Sequence, residues 1–435
     1  MAPLGAIIVL ALTVGLALSR PRVGRIRIQP AGAAVLGAAL TLGGGLLSPA
    51  EALEVLEFLA LPILTIVSLM VITIIASRAG FFRVLAWKMA ADAGGDSRKL
   101  FRRLFVAGTV TGTVFTNDAA VLILTPMVFE LVQEIRQPSW TDKNAIPFYF
   151  TILYVSNLVG ALVISNPINI IVADWFDIGF VEYALWMAIP AVVSMVVTYL
   201  GLAIFFRNVI PPEYSPPAPL PARTEGKGLR VFTATVLGIT LIGFFSEPWL
   251  GIPTGYVAGA GALILLASYG LAGEGRPAHV VREVGWDAVI FVVGMFIVAN
   301  GLRSVGLTDM IGSALLWAIQ VGDQFGNFVA GSVAALFSAI INHPPTAGIM
   351  ALAIGDLPID EVSRKVMALS ALIGGDLGPK MLPIGSLAAL LWFRILRQRG
   401  VEISYWQYIK LGVPVTVVAA LLSMAVLGLE YWLVS

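Results

Sequence analysis

The sequence predicts an all-α polytopic membrane protein made of two inverted repeats, each with about five transmembrane helices and one re-entrant helical hairpin. Three observations predict this fold class: the composition, the placement of the basic residues, and polar breaks at matching positions in the two halves. Of the 435 residues, 58% are hydrophobic and 12% are charged, and the mean hydropathy is +0.91. A soluble domain carries about 25% charged residues, so most of this surface must lie in lipid.

The composition also excludes several classes of function. A net charge of +1 does not suit a nucleic-acid partner, because phosphate binding needs clustered basic residues. The chain has no cysteine, which excludes disulfides, thiolate metal sites and a cysteine nucleophile. It also has no Gly-x-x-x-x-Gly-Lys-Ser/Thr sequence, the pattern that cradles nucleotide phosphates. We therefore expect no cofactor.

Apolar runs of roughly 20 residues, each long enough to cross a hydrocarbon core, define the spans. We expect the first repeat over residues 1–206, a solvated, proline-containing cytoplasmic linker over 207–230, and the second repeat over 231–435. The predicted spanning helices are 3–19, 29–47, 58–77, 146–172 and 183–206 in the first half, and 231–247, 254–272, 286–302, 363–393 and 407–432 in the second.

Each half also contains a stretch that is too broken to cross the membrane as one helix. Residues 103–133 are interrupted at Thr116–Asp118, and residues 327–356 at Asn342–Pro345. We interpret both as re-entrant hairpins. The fourth span of each half contains proline and is expected to be a broken helix. Irregular backbone survives at membrane depth only where protein or a polar cavity surrounds it, so the four breaks should meet near the midplane.

The basic residues predict the orientation. Most of the 27 Lys and Arg residues fall in segments that this topology places in the cytoplasm, in accord with the positive-inside rule. Arg303, Arg364 and Lys365 fall outside, and Lys380 lies within a span. Four arginines follow the first apolar run, whereas a signal peptide has its positive charge before that run. We therefore expect a multi-pass protein of a bacterial inner membrane with both termini in the periplasm.

Three charged residues lie at membrane depth: Asp118, Asp376 and Lys380. Each such charge costs about 2.5 to 3.5 kcal/mol on insertion scales, so a functional role is expected. Two structural alternatives stay open. Asp118 could cap the helix that follows it, and Lys380 could simply neutralise Asp376, one helical turn earlier.

Amides and helix breakers surround these charges. Discontinuous helices of this kind present free backbone ends and polar side chains to substrates at the midplane of transporters. The residues we single out are Thr116, Asn117, Asn157, Ser165, Asn166, Asn169, Asn342, Gly385 and Ser386. His343 either is a satisfied polar residue or titrates in a range that suits proton coupling.

Two segments resemble a known family. Phe115–Pro126, which reads Phe-Thr-Asn-Asp-Ala-Ala-Val-Leu-Ile-Leu-Thr-Pro, resembles the first-hairpin motif of the arsenite/antimonite efflux permeases (ArsB) of the ion transporter superfamily. Gly375–Trp392 resembles the second-half motif of that family. The first motif is shared with sodium/proton antiporters and anion transporters, and the second is more specific. The second hairpin departs from the family pattern Asn-Asn, because His343 takes the second position.

The resemblance implies a transporter and not an enzyme. It implies export of arsenite and antimonite as neutral hydroxides in exchange for protons, by an elevator motion, with a cytoplasmic ATPase subunit or a homodimer as possible assemblies. Without cysteine, arsenite must be recognised as a small polyol. The residues expected to bind substrate are Asn117, Asn166, Asn169, Asn342, Thr116, Ser165, Gly385 and Ser386, and those expected to couple protons are Asp118, Asp376, Lys380 and His343.

Two other functions are weighed against export of arsenicals. A sodium/proton antiporter or organic anion transporter of the same superfamily would use similar amides and carboxylates. An intramembrane aspartyl protease would use Asp118 and Asp376. That protease motif resembles Gly-x-Gly-Asp, but the first glycine is replaced by Ile373 here, so the motif match fails in context.

Overall fold

The computed structural model describes residues 2–23, 26–155, 158–218 and 227–434, which form helices almost throughout. The first half contains α1 (Ala2–Ser19), α2 (Pro30–Gly43), α3 (Pro49–Arg78), α4 (Phe81–Ala93), α5 (Ser97–Val114), α6 (Asn117–Ile135), α7 (Asp142–Val155), α8 (Pro167–Trp175) and α9 (Phe180–Phe206). The second contains α10 (Lys227–Phe245), α11 (Glu247–Leu250), α12 (Thr254–Leu271), α13 (Pro277–Glu283), α14 (Trp286–Arg303), α15 (Leu307–Val321), α16 (Asp323–Ile341), α17 (His343–Gly355), α18 (Glu361–Leu377), α19 (Leu387–Gln398) and α20 (Tyr405–Val434). Three 3-10 turns (Val163–Ser165, Gly378–Lys380 and Pro383–Gly385) and a two-stranded antiparallel sheet, β1 (Arg22–Val23) with β2 (Ile26–Arg27), are the other elements.

The predicted all-α polytopic class is confirmed. Within the part of the chain that the structure describes, seven helices of at least 18 residues are long and apolar enough to cross a membrane: α3, α9, α10, α12, α14, α16 and α20. One face of α9 is exposed, and it carries apolar side chains spaced three or four residues apart. Its exposed residues are Leu185, Ile189, Val192, Val196, Leu200 and Ile204. Such a stripe is stable against lipid tails and costly against water.

The same order of elements occurs in both halves. Three long or apolar helices are followed by a shorter helix (α4 or α15), two helices joined at a break, two helices joined by irregular chain, and a long final helix. The packing partners also correspond, since α2 packs on α14 as α12 packs on α3, and α9 packs on α20. These correspondences favour two repeats, while their opposite orientation stays a prediction.

Helices α1, α2, α3, α10, α12 and α14 form what we call the scaffold block. The close approach of α14 to α2 depends on Gly294, where a Cβ atom would lie 2.7 Å from the Cβ of Ala34. Helices α5 to α8 and α16 to α19 form what we call the hairpin block. Within it, Phe150 of α7 contacts Trp392 of α19 edge to face, with ring centroids 5.2 Å apart, so aromatic packing joins the broken helices of the two halves.

Two helices differ from the sequence prediction. Helix α3 begins at Pro49 instead of residue 58, because Ser48 and Glu51 form a capping box that starts the helix in the polar segment before the apolar run. Helix α15 falls in a segment that was left between spans. Its first turn contains the polar residues Thr308 and Asp309, which are typical of a loop, yet Thr308 is buried.

Most of the described linker residues are exposed, and a few of them anchor the linker to the fold. Tyr214 is 2% exposed and donates a hydrogen bond to the carbonyl of Ala90 in α4, and Ser97 N donates to the carbonyl of Pro212. The linker therefore leaves the first repeat packed against the loop between α4 and α5. Residues 219–226 lie outside the described part of the chain.

Candidate functional site

A cavity lies between the scaffold block and the hairpin block. It encloses about 740 Å³ of empty space, including its open mouth. The scaffold block contributes an apolar wall from the middle of α3 and the first turns of α14. The hairpin block contributes the polar wall, which consists of Asn166, Asn342, His343 and Ser386. Four of the residues selected from the sequence thus come together around one space: one from the break between α7 and α8, two from the break between α16 and α17, and one from the break between α18 and α19.

Asn166 occupies the break before α8. Its side-chain oxygen accepts a hydrogen bond from Ile168 N (3.0 Å), which caps the helix, and Pro167 fills the first helical position. A capping asparagine satisfies a free backbone donor, and proline suits the first position because its missing N–H is not needed there. With its oxygen used by the cap, Asn166 directs its amide nitrogen toward the second half of the chain.

The amide nitrogens of the first half hold the carboxylate of Asp376. Asn166 Nδ2 donates to Asp376 Oδ1 (2.7 Å), and Asn169 Nδ2 donates to Oδ2 (3.1 Å). The backbone N–H of Gly160 also donates to Oδ2 (3.3 Å). Asp376 is 1% exposed, and a buried carboxylate is stable only when such charge-assisted bonds replace its water. We call this arrangement the Asp376 clamp.

Gly160 is a part of the clamp that the sequence analysis missed. A Cβ atom at this position would overlap with the hydroxyl of Ser165 and lie 2.9 Å from Asn169 Nδ2. Only glycine therefore lets the backbone come close enough for its N–H to reach Asp376. In the sequence, the one sign of this role is that Gly160 stands five residues before the Ser165-Asn166-Pro167 break.

Asn342 and His343 form the break of the second hairpin. Asn342 has φ 76° and ψ 164°, a backbone conformation that is strained for any residue except glycine, and its Oδ1 accepts from His343 N (2.7 Å). His343 Nδ1 lies 3.3 Å from Asn166 Nδ2 and 3.6 Å from Asp376 Oδ1. Among the described residues, Asn342 Nδ2 and His343 Nε2 are buried and have no hydrogen-bond partner.

Lys380 does not pair directly with Asp376. It is 1% exposed, and within the described ranges its Nζ has no hydrogen-bond partner. The nearest interaction is with the ring of Tyr154, whose centroid lies 5.6 Å from Nζ. Helix α18 ends at Leu377 and the chain continues as a 3-10 turn, so the helical spacing behind the pairing alternative does not hold there. The clamp occupies the carboxylate instead.

The other selected residues have varied surroundings. Ser386 Oγ accepts from Ala389 N (3.1 Å) and so caps α19 as Asn166 caps α8. Gly385 packs against α16, where a Cβ would lie 2.6 Å from the carbonyl oxygen of Ala339. Ser165 and Thr116 are each 1% exposed, and neither lines the cavity. Asn157 and the side chains of Asn117 and Asp118 lie outside the described part of the structure.

The comparisons with known proteins decide the family. Residues 5–433 match the family model described as "Arsenical pump membrane protein" (ArsB). The chain belongs to this family. Its membership confirms the resemblance on which the two motifs were selected, and it leaves the aspartyl protease alternative without support.

Curated relatives carry the same description. An arsenical pump membrane protein of Escherichia coli is 33% identical over 408 residues, which cover 91% of this chain and 92% of the relative. One from Yersinia enterocolitica is 32% identical over 370 residues, covering 84% and 85%. A putative arsenical pump membrane protein of Bacillus subtilis is 25% identical over 411 residues, covering 89% and 92%.

A solved structure has a similar fold. The YdaH transporter of Alcanivorax borkumensis, whose topology is described as unusual, matches with a TM-score of 0.57 at 15% identity. The match covers 100% of this chain and 98% of the transporter. At this identity the likeness concerns the fold alone. It shows that the helix arrangement of this arsenical pump family member also occurs in another membrane transporter.

Proposed function

We propose that this protein exports arsenite and antimonite as neutral hydroxides across a bacterial inner membrane, in exchange for protons. The observation that carries the proposal is the cavity that Asn166, Asn342, His343 and Ser386 line, in a chain of the arsenical pump family. Trivalent arsenic hydroxide is small, neutral and rich in hydroxyl groups. Amide, imidazole and hydroxyl groups can donate to and accept from such hydroxyls.

A free polar atom at the second hairpin suits this substrate. Asn342 Nδ2 can donate, because it has no partner among the described residues, whereas the unpartnered His343 Nε2 lies against Gly375 of α18. Phe291 and Val292 of α14 form part of the opposite, apolar wall. A site that combines an apolar wall with a few placed polar groups is the usual form of a small-molecule site. The substrate is then held by hydrogen bonds, since the chain has no thiolate.

The Asp376 clamp gives proton coupling a physical route. Asn166 both lines the cavity and donates to Asp376. The ionised carboxylate holds Asn166 and Asn169 in the arrangement described above. Protonation of Asp376 removes the charge that strengthens these bonds, so the polar wall loosens and substrate binds less well. Opposed binding of proton and substrate at one site is what an exchanger requires. Asp118, the other buried carboxylate expected from the sequence, and His343 are the further proton carriers of the proposal.

Alternating access follows if the hairpin block slides against the scaffold block as an elevator, with the two repeats inverted and both termini in the periplasm. The cavity lies at the boundary of the two blocks, which supports this motion. Neither an ATPase subunit nor a second copy of the chain is needed for it, because the proton gradient supplies the energy.

The experiment is arsenite uptake into everted vesicles or proteoliposomes with and without an imposed proton gradient. We expect gradient-dependent uptake that Asp376→Asn and Asp118→Asn each abolish. Asp323→Asn, a carboxylate at the start of α16 outside the cavity lining, is the matched control and should retain uptake. Gradient-dependent uptake that survives both substitutions at full rate contradicts the coupling.

Sodium exchange is less well supported by the clamp. A hard cation needs oxygen ligands with free lone pairs, whereas the three groups around Asp376 are N–H donors. An organic anion would need a cation in the cavity wall, and Lys380 does not line the cavity. Sodium-dependent proton flux without arsenite uptake in the same vesicles would decide for the antiporter.

A further inference from the structure

A second groove lies at the opposite end of α19 from the cavity. It encloses about 970 Å³ of space that opens outward, between the end of α1, strand β2 and the last turns of α19. Four arginines line it: Arg20, Arg27, Arg394 and Arg397. The sequence places all four on the cytoplasmic side, so the groove lies where the inner leaflet of the membrane meets water.

The arginines of this groove form no direct ion pairs in the described part of the chain. Among the described residues, none of the four has an acidic oxygen within the 4.0 Å of an ion pair, and Arg20 Nε is buried without a hydrogen-bond partner. Burial lowers the pKa of Arg20. The charge of Asp287 raises this pKa, and the charges of Arg27 and Arg394 lower it further. Asp287 itself accepts a hydrogen bond from Ala31 N (3.1 Å).

Apart from the arginines, Gln398 and Tyr405, the residues that line the groove are apolar. Leu18 of α1 and Leu390, Leu391 and Phe393 of α19 line it beside the arginines. A soluble phosphate ion would make no favourable contact with these apolar side chains. A molecule with an anionic head and hydrocarbon tails would contact both kinds of wall. Arginine also suits a phosphate diester, because its planar guanidinium donates two parallel hydrogen bonds.

We propose that this groove binds an anionic phospholipid of the inner leaflet, with its phosphate between Arg20, Arg394 and Arg397 and its acyl chains along Leu390 and Leu391. Basic pockets between transmembrane helices on the cytoplasmic side are suited to such headgroups. The lipid contacts α1 of the scaffold block and α19 of the hairpin block. Since Ser386, which caps α19, lies in the cavity wall and the helix ends in this groove, the lipid attaches this helix to the scaffold.

The test is native mass spectrometry of the detergent-solubilised full chain, titrated with phosphatidylglycerol or, as the zwitterionic comparison, phosphatidylcholine. We expect a saturable phosphatidylglycerol adduct that phosphatidylcholine does not form. The double variant Arg394→Gln with Arg397→Gln should bind phosphatidylglycerol roughly 30-fold more weakly, because each basic residue near an anionic headgroup contributes about fivefold.

Two controls separate this site from general surface charge. Arg98→Gln with Arg102→Gln removes two exposed charges from α5, outside the groove, and should leave the adduct unchanged. Arg394→Lys with Arg397→Lys keeps the charge and should bind within about fivefold of the wild type, which covers the case in which the glutamine variant fails to fold. An equal loss in the α5 variant, an unchanged glutamine variant that is folded, or full displacement of the lipid by millimolar inorganic phosphate would each overturn the proposal.

Discussion

Three residues of the first half donate hydrogen bonds to the carboxylate of Asp376 in the second half, and the bond from Asn166 is the shortest of them. It caps α8 through its oxygen and donates to Asp376 through its nitrogen. We expect Asn166→Ala to lower arsenite transport at least tenfold and to destabilise the fold by about 1 to 3 kcal/mol, since a buried charge loses a donor. Asn144→Ala also loses amide hydrogen bonds, to Thr141 and Val209, but leaves the clamp intact. It should retain transport, and equal loss in both variants would mean that the effect is on folding alone.

Lys380 is a buried charge without a hydrogen-bond partner among the described residues, and it lies over the ring of Tyr154. Lys380→Met keeps the length of the side chain and removes the charge. We expect the variant to be more stable, by up to about 3 kcal/mol on membrane insertion scales, and to lose proton-coupled transport. Thermal unfolding in detergent measures the first effect and vesicle uptake the second. Lys410→Met, at an exposed position, is the control and should change neither. A lower unfolding temperature for Lys380→Met would show that Lys380 has a partner that stabilises it.

Gly160 tests the backbone donor of the clamp. Its substitution by alanine forces the new methyl group against Ser165 and Asn169, and overpacking of this kind costs about 1 to 3 kcal/mol. Transport should fall together with stability. Gly238→Ala adds the same methyl group in α10, where nothing lies within 4 Å, and helix propensity predicts a gain of roughly 0.5 to 1 kcal/mol there. Thermal unfolding of the two variants should therefore shift in opposite directions.

The polar residues of the cavity could be selected from sequence because they stand at helix breaks. Asn166 before Pro167, Asn342 before two prolines, and Ser386 after Pro383 each interrupt an apolar run, which is costly unless the break has a purpose. The pairing of Asn166 with Asp376 could not be selected in the same way. These residues are 210 positions apart, and only the packing of α8 against α18 brings them into contact.

Among the helices, α5 illustrates how a capping residue ties stability to pH. Asp96 accepts hydrogen bonds from Arg98 N and Lys99 N, both 2.9 Å, and these backbone donors lower the pKa of Asp96. A lowered pKa in the folded state means that the stabilisation is present above the unfolded value of about 3.9 and is lost as the pH falls further.

We therefore expect Asp96→Ala to destabilise the protein by about 1 kcal/mol at pH 7, the usual value of an N-cap. The difference from the wild type should shrink as the pH falls below about 4, because the wild-type carboxyl is then protonated too. Thermal unfolding across this range measures it. Asp142→Ala breaks an exposed ion pair with Arg136 and should have a smaller effect at pH 7. A pH-independent difference for Asp96→Ala would assign its effect to packing.

Helix boundaries were predictable where the apolar pattern and the caps agree. At α3 they disagree, since the apolar run begins near residue 58 while the capping box Ser48–Glu51 starts the helix about two and a half turns earlier. The charged side chains of Glu54 and Glu57 are exposed on that extension, so the helix continues into water. The apolar run alone therefore predicts a helix that is too short. Helix α15 was not predicted for a different reason: its first turn contains the polar residues Thr308 and Asp309, of which only Thr308 is buried.

Across the whole molecule the two repeats pack differently on the scaffold. Helix α17 packs along α14, whereas the corresponding pair, α6 and α3, touches at few residues. At the C-terminal end of α14, Arg303 forms a bidentate salt bridge with Asp356, which follows α17. Arg303 Nε lies 2.8 Å from Asp356 Oδ2, and Nη2 lies 2.5 Å from Oδ1. The cavity lies near the first turns of α14 instead. Under the predicted topology, the site is closed on the periplasmic side and open toward the cytoplasm.

The Arg303–Asp356 pair should therefore favour the inward-open state. Asp356→Asn is expected to shift the population outward by up to about fivefold, as exposed pairs contribute about 0.2 to 1 kcal/mol. A cysteine introduced as Ala288→Cys lines the cavity and is the sole thiol of the chain. Its labelling by an impermeant maleimide in inside-out vesicles should slow accordingly.

Glu283→Gln is the control for this shift. It breaks the Arg78–Glu283 pair, which has similar geometry but joins α3 to α13 and does not involve the hairpin block. Labelling of Ala288→Cys should stay as in the parent. Slower labelling in both variants would attribute the change to surface charge rather than to the contact between the two blocks.

The Asp376 clamp also has a consequence for how the chain is made. Asn166 leaves the ribosome 210 residues before its partner Asp376, and synthesis at about 5 to 20 residues per second separates them by roughly 10 to 40 s. For that time the amides of α8 already sit in the insertion machinery or the bilayer while their acceptor does not yet exist. The nascent first half must keep this segment hydrated or shielded until α18 arrives, so the pocket is assembled late and in a single step.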